Sequence, residues 1–111
     1  MNLEIKALLT DILEAINSID DYLEHKRDFN HFMSSKLVKR GIEREFEIIG
    51  EAINSILKLK PEIGISSARD IVNLRNKVIH DYRQVDYFIL WRIINRDLIS
   101  LKSEIESILN T

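Results

Sequence analysis

The stretch Glu43-Arg44-Glu45-Phe46-Glu47-Ile48-Ile49-Gly50-Glu51-Ala52 lies in the middle of the longest helical pattern in the chain. Apolar residues recur around it at the spacing of one buried helix face: Leu37, Ile42, Phe46, Ile49, Ile53 and Ile56. The spacing predicts a helix from about Phe32 to Leu59. Gly50 interrupts this pattern at a cost of about 1 kcal/mol relative to alanine. Such a glycine indicates the close approach of another backbone, or else a tolerated defect.

A second amphipathic pattern precedes the long helix. Between Leu3 and Leu23, apolar residues follow steps of three and four, which predicts a helix of about six turns. The polar stretch from His25 to Asn30 is then expected to be a loop. Within it, Asp28 or Asn30 could cap the helix that follows.

Pro61 is the strongest break in the chain. It can neither donate its amide nor follow a helical residue without strain, so the long helix should end at Leu59. Ser66 or Ser67 is then predicted to cap a third helix, with Asp70 forming a loose capping box. The apolar residues of this third helix are Ile71, Leu74 and Val78, with Ile79 beside them.

The third helix is predicted to end near Asp81 or Tyr82, before a short turn from Arg83 to Val85. Asp86 is a suitable N-cap for a fourth helix that continues to near residue 111. Its apolar residues are Ile89, Leu90, Trp91, Ile94, Leu98, Leu101, Ile105 and Ile108. Four helices with short connections predict an all-α, antiparallel four-helix bundle.

Length and composition agree with this fold class. The chain has 111 residues, which fits a single domain over residues 1–111, and 45% of them are hydrophobic and 31% charged. Only 3 Gly and 1 Pro are present, which favours long helices over a turn-rich β fold. Because a domain of this size buries only about two-thirds of its unfolded surface, a two-fold dimer is expected to cover an exposed face.

Composition also excludes several classes. The chain has no Cys, which rules out a disulfide framework and a thiolate metal site and fits a reducing cytoplasm. No apolar run approaches the roughly 20 residues that cross a bilayer, and the amphipathic start from Met1 to Thr10 is not a signal peptide. The net charge of −2 argues against a general nucleic-acid coat, so any RNA contact needs a local basic patch.

The segment Leu74-Arg75-Asn76-Lys77-Val78-Ile79-His80-Asp81-Tyr82 carries the chain's most reactive group of side chains. Arg75 offers a permanent charge with a forked donor geometry that suits phosphate. His80 belongs to the residue type that exchanges protons near neutrality, with a pKa of about 6.5. Tyr82 supplies a hydroxyl that can donate a hydrogen bond or accept a transferred group.

The spacing limits how these groups can meet. Residues five apart on a helix lie about 140° around its axis, so Arg75 and His80 do not share a face, whereas Asn76 and His80 do. The helix must loosen near His80, the arginine must reach round it, or a symmetric partner must supply a second copy across a cleft.

In such a cleft, the residues favour phosphate-ester chemistry. His80 would act as general acid or base, and Arg75 would neutralise the charge that builds up on phosphorus. RNA carries its own nucleophile in the 2′-hydroxyl, so the reaction needs no metal or other cofactor. The spacing alone is a weak signal, because a single histidine at a helix end is more often a cap or a packed residue.

Three segments resemble those of the HepT-like HEPN proteins, the helical half of a prokaryotic toxin–antitoxin pair: Glu45-Phe46-Glu47-Ile48-Ile49-Gly50-Glu51-Ala52, Pro61-Glu62-Ile63 followed by residues 74–82, and Val85-Asp86 followed by Leu90-Trp91. The middle one fits the family's Arg-x-x-x-x-His-x-Tyr signature in full. The resemblance covers about residues 37–101. The linker Ile63-Gly64-Ile65-Ser66-Ser67-Ala68 departs from the shorter, tryptophan-bearing linker common in that family.

This resemblance implies a dimeric helical bundle with the motif at a cleft between protomers. It implies a toxin that is a metal-independent endoribonuclease, with Arg75 and His80 as catalytic pair and Asn76 and Tyr82 in support. The implied partner is a small nucleotidyltransferase antitoxin that attaches AMP to Tyr82 and silences the toxin. The alternative is a non-catalytic helical module that binds this partner and receives AMP on Tyr82.

Other candidate sites have simpler explanations. The glutamates at positions 43, 47 and 51 could hold a metal with His80 or Asp81, but without a second histidine at ligand spacing a solvated face is favoured. His25 and His31 lack a nearby carboxylate pattern and are expected to be exposed. Trp91 is expected in the core rather than stacked on a base. The basic residues of the long helix form a solvated face, or an RNA track if they border the cleft: Lys36, Lys39, Arg40 and Arg44.

Overall fold

The computed structural model describes residues 2–78 and 85–110 and places six helices in these two ranges. They are α1 (Leu3–Tyr22), α2 (Phe29–Ser34), α3 (Lys36–Leu59), α4 (Ala68–Val78), α5 (Tyr87–Asn95) and α6 (Asp97–Leu109). The predicted all-α class is therefore confirmed. The first helix ends one residue before the predicted Leu23, and the long helix ends at Leu59 as Pro61 required.

Helix α3 is the centre of the fold. It packs along α1 over most of its length and also contacts α2 and α4, while α6 packs on α1 and α5 joins α6 to α4. The smallest extent of the backbone is 19 Å, which corresponds to about two packed helices. None of the helices in the described ranges is long and apolar enough to cross a membrane.

The core is apolar and rich in isoleucine. Every residue classed as buried among the described residues is hydrophobic or glycine. The predicted apolar face of α3 is confirmed at Ile42, Phe46, Ile49 and Ile53, whose side chains have no exposed surface. Leu37 is the exception, because its side chain is 84% exposed.

The predicted long helix is interrupted near its start. Ser35 has an extended backbone (φ −114°, ψ 113°), which ends α2 and allows its hydroxyl to accept from the amide of Val38, 3.1 Å away. Asp28 caps the separate helix α2, accepting from the amides of Asn30 and His31 at 2.9 and 3.3 Å. The prediction of a loop up to Asn30 and one helix from Phe32 was therefore wrong, while the role of Asp28 as a cap is confirmed.

The predicted last helix is also divided in two. Asp86 caps α5 as predicted, accepting from the amide of Ile89 at 3.1 Å. At Arg96 the backbone leaves helical geometry (φ −125°, ψ −67°), and the side chain of Asn95 donates to the carbonyl of Trp91, 2.8 Å away. A side chain that occupies a backbone carbonyl competes with the helical hydrogen bonds, which accounts for the break.

The start of α4 differs from the predicted capping box. The hydroxyl of Ser67 is buried without a hydrogen-bond partner. Ser66 instead donates its amide and its hydroxyl to the carboxylate of Glu104 on α6, at 2.9 and 3.1 Å. A carboxylate from another helix thus receives the donors at this helix start. The predicted end of the third helix near Asp81 or Tyr82 falls outside the described residues.

Candidate functional site

The structure describes part of the predicted site. Arg75 and Asn76 lie on α4, whereas His80 and Tyr82 belong to residues 79–84, outside the described residues. The geometry of the site is therefore that of Arg75 and its surroundings on α3 and α4.

Arg75 lies against α3 at Gly50. A Cβ atom built on Gly50 would be 2.9 Å from Cγ of Arg75, 3.2 Å from its Cδ and 3.3 Å from its Cβ. Carbon atoms normally approach no closer than about 3.5–4.0 Å, so a side chain at position 50 would collide with the arginine. The sequence indicated the close approach of another backbone at Gly50, or a tolerated defect, whereas the structure places the side chain of Arg75 there.

The guanidinium of Arg75 is held by two neighbours. Its Nη2 lies 3.4 Å from Oε1 of Glu47, one turn before Gly50 on α3, and its Nη1 donates to Oδ1 of Asn76 at 3.0 Å. Its Nε is buried and has no hydrogen-bond partner in residues 2–78 and 85–110. Since a guanidinium has five N–H donors, the described residues engage only two of them. The side chain keeps 28% of its surface exposed.

A small cavity is lined in part by Arg75. It has a volume of about 140 Å³ and is lined by Gly50, Glu51, Asn54, Val72, Arg75 and Asn76. One water molecule needs only about 10–15 Å³ on such a measure, so this space admits a larger polar group. A guanidinium whose side chain lines a cavity is suited to receive an anionic group such as a phosphate.

The glutamate column on α3 is not a uniformly solvated face. Glu47 contacts Arg75, and Glu43 accepts a hydrogen bond from the hydroxyl of Tyr87 at the start of α5, whereas Glu51 is exposed. The interpretation of the whole column as solvated was therefore wrong for two of its members. Glu43 therefore connects α3 to α5, and Glu47 connects α3 to α4, which carries Arg75.

Tyr87 is held in a partly buried environment. Burial raises the pKa of Tyr87 to about 12, helped by its hydrogen bond to Glu43 and by the negative charge of that carboxylate. Burial, the hydrogen bond and the nearby negative charge all oppose the formation of a phenolate. The ammonium of Lys39 lies over the ring, 4.8 Å from its centre. The hydroxyl of Tyr87 is therefore a stable neutral donor.

Tyr87 also belongs to an aromatic cluster between α2 and α5, formed by Phe29, Phe32, Tyr87, Phe88 and Trp91. Trp91 stacks on the fully buried Phe32 with ring centres 5.0 Å apart, and meets Phe29 edge-on at 5.7 Å. These contacts support the packing role predicted for Trp91, although its side chain is partly exposed. Phe88 lies at the edge of the cluster with 71% of its surface exposed.

Comparison with known proteins identifies the family. The family model described as "Ribonuclease HepT-like" matches residues 12–108, which is most of the chain and includes the whole motif segment. The chain belongs to the HepT-like family. The resemblance found in the motif segments is thereby confirmed.

Individual relatives agree with this assignment. The HepT-like chain is 36% identical over 107 residues to "Putative RNase MJ1380" of Methanocaldococcus jannaschii, covering 93% of the chain and 94% of the relative. It shows the same identity and coverage with "Probable ribonuclease HepT" of Thermococcus cleftensis. With "Putative RNase MJ1216" of M. jannaschii it shares 31% identity over 107 residues, or 96% and 88% of the two chains. No solved structure matches the chain significantly.

The other histidines of the HepT-like chain are placed differently from each other. His25 is exposed as predicted, but Asp21 lies one turn before it, with Oδ1 3.1 Å from Nε2. His31 is half-buried, and its Nε2 has no partner, so the prediction of exposure was wrong for this residue. Its position follows from α2, which begins earlier than predicted. Within the described ranges, no three carboxylate or imidazole groups are arranged to hold a metal ion.

The basic residues on the first half of α3 divide between two roles. Lys39 packs on Tyr87, whereas Lys36, Arg40 and Arg44 are exposed. Arg44 precedes Gly50 by six residues, which is about 9 Å along a helix. These charges therefore lie on the same helix as Gly50, which contacts Arg75.

Proposed function

We propose that this HepT-like chain is an endoribonuclease toxin that cleaves RNA without a metal, using Arg75 and His80. The observation that carries the proposal is Arg75 itself, a family-motif cation whose side chain lines a cavity and is contacted by Glu47 and Asn76. Membership in a family described as ribonucleases supplies the reaction class. Since the substrate is RNA and the partner is expected in the same compartment, we propose a cytoplasmic location.

In the proposed reaction, the 2′-hydroxyl of the RNA attacks the adjacent phosphorus. His80 takes the proton from this hydroxyl, and the bond from phosphorus to the 5′-oxygen breaks. A proton passes to the leaving oxygen, so the products are a 2′,3′-cyclic phosphate and a 5′-hydroxyl end. Arg75 stabilises the negative charge that develops on the phosphoryl oxygens. Asn76 supports Arg75 through the 3.0 Å hydrogen bond between their side chains.

A two-fold dimer completes the proposed site, because Arg75 and His80 lie on different faces of an ideal helix and a partner protomer can supply the second group. Two exposed apolar side chains support an association surface on the protomer: Leu37 is 84% exposed and Phe88 is 71% exposed. We propose that the cleft between protomers is the RNA site. A monomer mass by light scattering at micromolar concentration would contradict it.

The proposed regulation is the transfer of AMP to Tyr82 by a nucleotidyltransferase antitoxin. The phenolic oxygen of Tyr82 attacks the α-phosphorus of ATP and pyrophosphate leaves, which forms a phosphodiester between tyrosine and AMP. The adduct adds a bulky anion two residues from the motif histidine and seven residues from the motif cation. Its phosphate would pair with Arg75, whose charge and fork match a phosphate, and would occupy the place of the RNA phosphate.

The test of cleavage compares the wild-type chain with His80→Ala and Arg75→Ala on a labelled RNA in EDTA. We expect the wild type to leave a 2′,3′-cyclic phosphate and each variant to lose activity by about 10²–10⁴ with unchanged helicity. If the wild type does not cleave, or if EDTA stops cleavage and magnesium restores it, the metal-independent ribonuclease is refuted. The non-catalytic binding module would then be favoured.

The test of silencing is co-expression with the nucleotidyltransferase, followed by mass mapping. We expect one or more AMP units located on Tyr82, and a Tyr82→Phe variant that stays unmodified and keeps some cleavage. Modification of Tyr22 or Tyr87 instead would contradict the assignment. The hydroxyl of Tyr87 is partly buried and donates to Glu43, which makes it a poor acceptor and a suitable internal control.

A further inference from the structure

Resting on the proposed ribonuclease, we propose that Gly50 and Glu47 are positioning residues that fix Arg75 for its reaction. Neither residue belongs to the Arg-x-x-x-x-His-x-Tyr motif, and both lie on α3 rather than on the motif helix. They act on different parts of the same side chain: Gly50 receives the aliphatic stem, and Glu47 receives one end of the guanidinium.

The stem contact is specific because it involves the root of the side chain. A Cβ on Gly50 would be closest to Cγ of Arg75 at 2.9 Å, and would also be 3.3 Å from the Cβ of the arginine. The Cβ atom is fixed to the backbone of α4, so it cannot swing aside as the end of a long side chain can. An alanine at position 50 must therefore change the rotamer of Arg75 or push α4 away from α3.

The contact at the other end of Arg75 sets the direction of the guanidinium. Glu47 precedes Gly50 by three residues and therefore lies on the same face of α3. Its Oε1 is 3.4 Å from Nη2, and about a third of its side-chain surface is exposed. An ion pair of this length and exposure contributes little to stability. Its consequence is orientation, because it fixes one end of the guanidinium of a side chain that lines the cavity of about 140 Å³.

The first experiment measures the placement of Arg75 without using activity. Phenylglyoxal modifies accessible guanidinium groups, and peptide mass mapping gives the rate at Arg75. We expect Gly50→Ala to raise this rate several-fold. The chain offers two matched controls: Gly41→Ala on the same helix meets only the exposed ring of Tyr22, and a Cβ on Gly64 meets nothing within 4 Å. An unchanged rate of Arg75 modification in folded Gly50→Ala protein would overturn the proposed positioning of Arg75 by Gly50.

The second experiment measures steady-state RNA cleavage. Since a misplacement of about 1 Å can cost about 10²-fold, we expect Gly50→Ala to lower kcat by up to about a hundredfold with a smaller change in KM. The variants Gly41→Ala and Gly64→Ala should cleave as the wild type does. Equal kcat values for Gly50→Ala and Gly41→Ala would overturn the positioning role.

Glu47 provides a test that does not depend on how Gly50→Ala folds. Glu47→Gln retains an oxygen acceptor and should keep most of kcat, whereas Glu47→Ala should lower kcat and raise the labelling of Arg75. Equal values in the two variants would overturn the role of Glu47. If the wild type does not cleave RNA, the proposed function fails, but the labelling rates still decide whether α3 positions Arg75.

Discussion

Two glutamates one turn apart on α3 make opposite kinds of contact. Glu43 accepts from Tyr87, a neutral phenol that is packed among aromatic rings, and this contact joins α3 to α5. Glu47 meets Arg75 at 3.4 Å beside a cavity, and both side chains keep about 30% of their surface exposed. The first contact belongs to the packed aromatic cluster between α2 and α5, whereas the second orients a cation whose side chain lines a cavity.

This difference separates stability from function along a single helix. Within the aromatic cluster, substitutions should change the free energy of unfolding and should affect RNA cleavage only by changing the folded fraction. Where the cavity opens, substitutions should change cleavage and leave unfolding nearly unchanged. The predictions below test the two halves of this division.

The largest effect on stability should follow from removing a ring of the aromatic cluster. Phe32 is fully buried and contacts both Tyr87 and Trp91. Removing a buried aromatic ring costs about 3–5 kcal/mol, so Phe32→Ala should unfold at much lower denaturant concentration. Urea titration gives the free energy of unfolding. A loss below 1 kcal/mol would show that the cluster is not part of the stabilising core.

At the cavity, Arg75→Lys should lower the rate of RNA cleavage. Lysine keeps the charge but lacks the fork that reaches Asn76 and a phosphate together. Loss of one charge-assisted hydrogen bond is worth about 1.5–3 kcal/mol, so cleavage should fall about 10- to 150-fold. The midpoint of thermal unfolding should stay close to that of the wild type. A large drop in that midpoint with little loss of cleavage would invert the proposed division.

Tyr87→Phe should destabilise the aromatic cluster less than Phe32→Ala does. It removes the hydroxyl that donates to Glu43 and leaves a partly buried carboxylate without this donor. The expected loss of stability is about 1–3 kcal/mol, while cleavage by the folded protein should persist. Tyr22→Phe is the matched control, because its hydroxyl donates to Glu45 at 3.1 Å on an exposed surface. Equal losses in the two variants would contradict the special position of Tyr87.

The smallest effect is a pH dependence of stability. The pKa of Tyr87 is raised to about 12, so between about pH 10 and 12 the folded chain retains a proton that the unfolded chain has lost. The stability that this tyrosine contributes is therefore present below pH 10 and lost as the pH rises toward 12. Unfolding midpoints measured across this window should fall more steeply in the wild type than in Tyr87→Phe.

The sequence predicted the helical class and several helix ends because those ends depend on local chemistry. Pro61 stops α3 after Leu59, and Asp28 and Asp86 cap helices where their carboxylates meet free amides. The breaks at Ser35 and Arg96 were missed. Apolar spacing continues through both of them, as from Ile94 to Leu98, so periodicity carries no signal for an interruption.

Contacts between helices explain what the sequence left open at the site. The motif identified Arg75, and the cost of a helical glycine drew attention to Gly50, but nothing local indicated that the two residues meet. The glutamate spacing showed that positions 43 and 47 share a face, without showing which helices cover it. The double contact of Ser66 with Glu104 was likewise unpredicted, because its partners lie 38 residues apart.

That double contact has a consequence for the order in which the chain is made. Ser66, at the start of the motif helix, is synthesised 38 residues before its partner Glu104. At about 5–20 residues per second, the two residues are added about 2–8 s apart. Until then, the contact between Ser66 and α6 cannot form. A nascent chain on the ribosome therefore carries the arginine of its motif for several seconds before the last helix fixes the segment that bears it.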